Sequence, residues 1–461
     1  MSARFVNVDR DTPMMLPPSI QQWVDSNDMV HFVIDTVESM ELPQLKVNHR
    51  GIGTPQYPPQ MMLALLLYCY ANGIMSSRKI ETATWHLVPV RYLTGDTHPD
   101  HDTINTFRKE NTAAVGEAFR QLLLMARQMG MLKVGTVSID GTHIKANASK
   151  YKNVRYDRIA ELEQQLDADI AELLAEAEAA DERDEDDGQR LPKEITRREV
   201  LREKIREARA ALEEQTRQKE QQRQDREDRD RDGDEDPPKK RKKRIDAKDA
   251  KPDDRHQINL IDPDSSLMRK SNRDAWQQAY NAQAVVDAEG SQLILASYVA
   301  DSPTDYYELE PALQAIDPEV GKPATVLADA GYVRKKLIER FAADPQAPEL
   351  YLAISAADHD IRRYDYRPLQ RQKKRRITDP LLVAMQEKVR SDEGRKIYRK
   401  RKQTVEPVFG IIKSVIGLDQ FLRREFAAVN AEWRLVCTAY NMKRLWWLCS
   451  AGPPKTGLIG G

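Results

Sequence analysis

Cysteine is nearly absent. The 461 residues hold three, Cys69, Cys437 and Cys449, far apart and without a Cys-x-x-Cys pair. That spacing suggests neither a zinc knuckle nor a disulfide framework and fits a reducing, cytoplasmic setting. Long apolar runs are also missing: nothing approaches the roughly 18 consecutive apolar residues of a membrane span, and no basic segment followed by an apolar run opens the chain. Neither export nor membrane insertion is expected. Net charge is lacking too, since 72 Lys and Arg stand against 73 Asp and Glu for a sum of -1, so any surface for a polyanion must be local. What is present is charge of both signs, at 31% of residues, and a 40% hydrophobic share that can fill at least one core in a chain long enough for two or three domains.

Residues 14–110 read as helical. Pro58-Pro59 opens an apolar stretch at 61–70 (MMLALLLYCY), and a further segment covers 76–85. Residues 98–108 (HPDHDTINTFR) read as a turn, an N-cap at Asp102 or nearby, and an amphipathic helix ending in basic residues. A helix pair followed by such a helix has the form of a unit that enters a DNA groove. Cap and turn chemistry accounts for His98, Asp100, His101 and Asp102 better than a metal site does.

From Gly135 the pattern changes. Residues 136–139 (TVSI) form a β-type run that stops at Asp140-Gly141-Thr142-His143, which puts a carboxylate at a strand end. Residues 280–287 (YNAQAVVD) and 291–299 (SQLILASYV), joined by Ala288-Glu289-Gly290, read as an antiparallel hairpin, and a helix at about 306–316 follows. Residues 324–328 (ATVLA) give a strand ending at Asp329, then a helix near 332–343 and a strand at 350–354. A long helix near 399–415 carries Glu406, and an amphipathic helix at 429–448 ends in Trp446-Trp447-Leu448.

Between the first strand and the hairpin lies a polar insertion. Ile159, Leu162, Leu166, Ile170 and Leu173 recur at helical spacing, as do Leu201, Ile205 and Leu212, with charges between them. The pattern predicts an antiparallel helical hairpin or coiled coil turning in the acidic stretch 181–187. Residues 225–236 carry almost no apolar side chain and are expected to be poorly ordered. Six basic residues at 239–244 follow, suited to phosphate contact or to a solvated linker.

Two aspartates closing separate strands and a glutamate on a later helix are the side chains that two-metal phosphoryl transfer asks of a protein, because Mg²⁺ is hard and takes carboxylate oxygens, water and phosphate oxygens. The order strand, hairpin, helix, strand, helix, strand, helix is that of the ribonuclease H-like fold, whose first and fourth strands lie side by side. Asp140 and Asp329 could then meet, with Glu406 closing the site from a helix packed on the sheet.

The chain resembles the DDE transposases of bacterial insertion sequences, in the group marked by a Tyr, Arg, Glu, Lys signature. The resemblance covers residues 14–150 and 258–448. It rests on Ser138-Ile139-Asp140-Gly141-Thr142, Tyr280-Asn281-Ala282-Gln283, Leu327-Ala328-Asp329-Ala330-Gly331-Tyr332, the stretch 398–413 (YRKRKQTVEPVFGIIK), and Pro99-Asp100-His101 through Phe107-Arg108. Each motif is weak alone and specific in this order. The resemblance implies an α/β protein with a ribonuclease H-like catalytic domain on a mixed sheet at 131–150 and 258–448. It also implies an all-α N-terminal domain at 14–130 for DNA binding or dimerisation, and the charged helical-hairpin insertion at 151–257. It further implies Asp140, Asp329 and Glu406 as the catalytic, metal-binding residues for two Mg²⁺ or Mn²⁺ ions. Tyr398, Arg401 or Lys402, and Lys413 would contact DNA. The substrate would be the terminal inverted repeats and target DNA, bound by a homodimer. One departure stands out: the signature places the arginine four residues before the glutamate, whereas Arg401 lies five before Glu406 and Lys402 holds the expected position. Lys413 keeps its place seven after Glu406, two helical turns on.

His143 near Asp140, and Trp276, Trp446 and Trp447, could assist or stack on a base, but packing explains them more simply. Three other functions fit parts of the chain: a transposase-derived DNA-binding protein that no longer cuts, a metal-dependent nuclease on the same fold, and an interaction protein built on the charged hairpin. The first requires a missing carboxylate, and all three are present. The last leaves the motif-bearing remainder without a role.

Overall fold

A computed structural model describes residues 19–47, 56–182, 190–229, 246–269, 274–354 and 377–451. The acidic turn expected within 181–187 lies, from residue 183 on, outside the described residues, as do the residues expected to be poorly ordered from 230 onward and the basic run at 239–244. The chain divides into two compact units, residues 1–126 with 435–461, and residues 127–434.

The first unit is helical. It contains α1 (Met29–Glu38), α2 (Pro59–Ala71), α3 (Ser77–His86), α4 (Val88–Leu93), α5 (His101–Glu110) and most of α6 (Thr112–Gln128). The apolar stretch read from the sequence is α2, started by proline at its first turn and buried on every side from Met62 to Ala71. It is the central helix, with α1, α4 and α5 packed on it. The cap of α5 is Asp100, not Asp102: its carboxylate accepts from the Thr103 N–H at 2.6 Å. His101 Nδ1 lies 2.8 Å from Glu81 Oε2, and His98 stacks on Trp85, so both histidines are used in packing. Arg108, read as part of a basic helix end, is buried and donates to the Tyr70 hydroxyl at 2.7 Å, the Met75 carbonyl and Asn105 Oδ1.

The second unit holds β1 (Thr136–Lys145), β2 (Asn153–Arg155), α7 (Tyr156–Glu182), α8 (Arg190–Arg229), β3 (Gln257–Asn259), β4 (Ser266–Met268), β5 (Gln277–Asp287) and β6 (Ile294–Ala300). These are followed by α9 (Leu309–Gln314), β7 (Thr325–Ala328), α10 (Lys335–Ala343), β8 (Glu349–Leu352), α11 (Pro380–Arg390), α12 (Asp392–Gly410) and the start of α13 (Phe426–Ala451). The main sheet is mixed, in the order β4-β5-β1-β7-β8, with β6 also on β5. β1 pairs antiparallel with β5 and parallel with β7, and β7 pairs parallel with β8. This is the ribonuclease H-like arrangement, with first and fourth strands adjacent.

The structure corrects the extent of the first strand. β1 does not stop at Asp140 but runs to Lys145, because β5 offers it partners from Asp287 down to Ala279 and the backbone of Asp419 and Phe421 pairs with Lys145. Asp140 is therefore in mid-strand. β6 starts at Ile294, later than the hydrophobic pattern indicates, because Ser291 folds back on Asp287 with its hydroxyl donating to Oδ2 at 2.6 Å. The long helix begins at Asp392 and contains Pro407. Proline has no N–H to give the carbonyl of Gln403, and Gln292 Nε2 supplies that donor at 2.9 Å. Beyond Gly410 the chain continues as a π-helical turn, Ile411–Val415, so Glu406 and Lys413 do not sit on one regular α-helix.

The insertion is an antiparallel helix pair. Moving forward along α7 from Glu163 to Asp167 to Asp169, the ion-pair partners move backward along α8 from Arg209 to Arg202 to Arg198. Ile159, Leu166, Ile205, Ala208 and Leu212 form its core with Ile258 of β3, while Leu201 is exposed. α8 continues as helix to Arg229, through residues whose composition predicted poor order. Abundant i to i+3 and i to i+4 pairs, such as Arg223 with Glu220 and Glu227, offset the missing apolar face.

Candidate active site

Strand register brings the two aspartates together. Ser138 pairs with Leu327 across β1 and β7, and two further residues along each strand bring Asp140 and Asp329 level. Asp140 is largely enclosed; its Oδ1 accepts from the Gly141 N–H at 3.0 Å. Asp329 follows β7 directly, and its Oδ1 accepts from the Gly331 N–H at 2.7 Å, closing a 3-10 turn over Ala330–Tyr332. Glu406 comes from α12, which packs across β1, β5 and β7.

The three carboxylates converge on Arg401. Its guanidinium donates to Asp140 Oδ2 at 2.8 Å and lies 3.7 Å from Asp329 Oδ2 and 3.8 Å from Glu406 Oε1. Arg401 is 8% exposed, and its Nε is buried without an acceptor among the described residues. Burial pushes the Asp140 carboxyl up to about 7; Arg401 opposes this, and Asp329 and Asp305 add to it. Burial alone would lower the arginine, but Asp140, Tyr398, Asp329 and Glu406 hold it above its ordinary range. Among the described residues, no three acidic, histidine or cysteine side chains are gathered closely enough to enclose an ion.

The other predicted residues fall in different places. Tyr398 donates its hydroxyl to the Ala328 carbonyl at 3.2 Å, one residue before Asp329, and burial pushes that hydroxyl up to about 12. Lys413 Nζ donates to the His143 carbonyl on β1 at 2.9 Å. Lys402 is exposed on the outer side of α12. Trp276 is 45% exposed and not part of the core, with the Arg269 guanidinium 4.6 Å from its ring. Arg269 also lines, with Asp140, Asp329, His143 and Lys413, a cavity of about 660 Å³.

A fourth acid, Asp305, has no counterpart in the sequence expectations. Its Oδ1 accepts from Gln283 Nε2 at 2.6 Å and Asn281 Nδ2 at 2.9 Å, and Gln283 Oε1 accepts from the buried Tyr332 hydroxyl at 2.6 Å. This network fills the space above Gly141. A Cβ there would come within 2.3 Å of Gln283 Nε2, 2.5 Å of Asp305 Oδ1 and 2.7 Å of Asn281 Oδ1. Residues of three separate motifs, Gly141, Asn281 with Gln283, and Tyr332, thus meet in one hydrogen-bonded layer beside the carboxylates. The only local signal for Asp305 is the turn Ser302-Pro303-Thr304, which reads as an ordinary helix start.

The geometry agrees with two family comparisons. The family described as transposase DDE domain matches residues 245–442, and the one described as transposase domain (DUF772) matches residues 18–110. Together they cover more than half of the chain. This chain belongs to the DDE transposases. The DDE-domain match contains Asp329, Arg401 and Glu406, while Asp140 of the transposase lies before it on β1. The other match ends at Glu110, the last residue of α5. No curated protein and no solved structure matches this transposase. No helix among the described residues is long and apolar enough to cross a membrane.

Proposed function

We propose that this transposase cuts DNA at the terminal inverted repeats of its element and joins the freed ends to target DNA, with Asp140, Asp329 and Glu406 as its catalytic carboxylates. The observation that carries the proposal is their convergence, from a strand, a strand end and a helix, within 4 Å of a single guanidinium.

The donor chemistry fits a hard divalent cation. All three side chains offer carboxylate oxygens, and the three face one guanidinium at 2.8–3.8 Å. Mg²⁺ or Mn²⁺ held by Asp140, Asp329 and Glu406 would activate a water or a 3'-hydroxyl and stabilise charge on the transferring phosphoryl group. Asp140 and Asp329 are fixed by backbone N–H groups, so their oxygens are positioned before DNA arrives. Tyr398 anchors the peptide that carries Asp329, and Lys413 anchors the strand that carries Asp140. Lys402, exposed four residues before Glu406, would meet a phosphate. The N-terminal helices would contribute DNA binding and pairing of two copies, since two DNA ends must be held together.

The test is cleavage and joining of a duplex carrying the element's end sequence, with Mg²⁺ or Mn²⁺, by wild type and by Asp140→Asn, Asp329→Asn and Glu406→Gln. Each variant should bind the duplex as wild type does and lose at least about a thousandfold in both steps. Full activity in any one of them refutes its assignment. Cleavage by wild type without joining would make the protein a nuclease.

A further inference from the structure

Arg401 stands where a cation would stand. It contacts all three carboxylates, it is almost wholly buried, and one of its nitrogens has no acceptor among the described residues. Spacing explains the placement. Residues four apart on an α-helix differ by about 40° and share a face, whereas residues five apart differ by about 140°. Arg401 is five residues before Glu406 and turns inward to the strand aspartates, while the Glu406 side chain, 54% exposed on the outer face, reaches the guanidinium only at its edge, Oε1 at 3.8 Å. Lys402 is four before it and is exposed.

We propose that Arg401 is a resident counter-cation: it holds the carboxylates together in the cation-free protein, competes with divalent ions for them, and leaves the phosphate contact to Lys402. This rests on the reading of Asp140, Asp329 and Glu406 as the cation-binding residues. One guanidinium answers three carboxylates only in part, so the cluster keeps an appetite for positive charge. A divalent ion drawn to it must displace the guanidinium. Arg401 is in this account a positioning residue.

The experiment titrates Mn²⁺ into the full-length, DNA-free protein and reads free Mn²⁺ by electron paramagnetic resonance. Arg401→Gln should bind Mn²⁺ at least about tenfold more tightly than wild type, the scale on which neighbouring groups tune metal affinity. Its affinity for the end duplex should stay within about twofold. Lys402→Gln should leave Mn²⁺ binding unchanged and reduce the slope of log affinity against log salt by about one. Equal or weaker Mn²⁺ binding by Arg401→Gln overturns the proposal, as does loss of its duplex affinity with Lys402→Gln unaffected. Wild type supplies a readout that needs no variant: phenylglyoxal modification of Arg401, followed by peptide mass spectrometry, should be slow without Mn²⁺ and faster with it, because the guanidinium leaves its buried ion pair. An unchanged rate overturns the proposal. If Asp140→Asn binds Mn²⁺ as tightly as wild type, the assignment of the carboxylates has failed, and this inference falls with it.

Discussion

Replacing Gly141 with alanine adds one methyl group where three polar atoms already sit. The new carbon would meet Gln283 Nε2 at 2.3 Å, Asp305 Oδ1 at 2.5 Å and Asn281 Oδ1 at 2.7 Å, all well inside van der Waals contact. None is the end of a free side chain, because Gln283 is pinned by Tyr332 and Asp305, and Asn281 by Asp305. Overpacking of this kind costs about 1–3 kcal/mol. Each buried donor or acceptor forced off its partner adds about 1–3 kcal/mol. The expected destabilisation is therefore roughly 3–5 kcal/mol, large for a single methyl group. Urea unfolding followed by tryptophan fluorescence would measure it, since the fully buried Trp433 donates its indole N–H to the Gln283 carbonyl and reports on this layer. Gln283→Ala in the same chain removes the nearest obstruction, so the double variant should be more stable than the sum of the single effects by at least about 1 kcal/mol. A Gly141→Ala protein within 0.5 kcal/mol of wild type, a size typical of surface changes, would refute the claim that the network fills this space.

Further outcomes are expected at three other positions. Asp140 holds its proton far more tightly folded than unfolded, so its contribution to stability is full below about pH 4 and is lost as pH rises through about 7. Cation-free protein should thus lose stability across that window in a pH series of urea melts, and Asp140→Asn should flatten the slope. Arg108→Ala should cost about 2–4 kcal/mol by removing donors from the Tyr70 hydroxyl, the Met75 carbonyl and Asn105. Arg108→Lys should recover little of it in thermal melts, because one ammonium group cannot replace the planar fork. Ile205→Ala in the core of the helix pair should cost about 2–4 kcal/mol and increase protease cutting within α7 and α8 without changing the signal of Trp433.

The elements with strong local periodicity were legible in the sequence: the apolar helix α2, the hairpin of β5 and β6, the strand before Asp329, and the apolar seam of the insertion. The order of strands and helices was enough to place β1 beside β7. The end of β1 was not legible, because Gly141, Thr142, His143 and Lys145 carry no apolar alternation and are held in the sheet by partners more than 130 residues away. The layer around Gly141 joins side chains from positions 281, 283, 305 and 332, and a hydrogen bond between distant polar groups leaves no mark on local pattern. The inward turn of Arg401 was present as a spacing of five instead of four. Its meaning needed the carboxylates in space.

The insertion leaves and rejoins the rest of the unit through a tiny ladder in which Asn153 faces Asn259 and Arg155 faces Gln257. A chain that departs and returns at the same spot behaves as a branch grafted on a trunk, and the trunk is indifferent to how long the branch grows. This branch is not free along its whole length, because Arg226, near the end of α8, lies 4.4 Å from the ring of Tyr307, two residues after Asp305. Lengthening or shortening the helices would go unnoticed at the graft and be felt at that touch, so the charged arm gives evolution a handle on the neighbourhood of the carboxylates without rewriting the sheet that presents them.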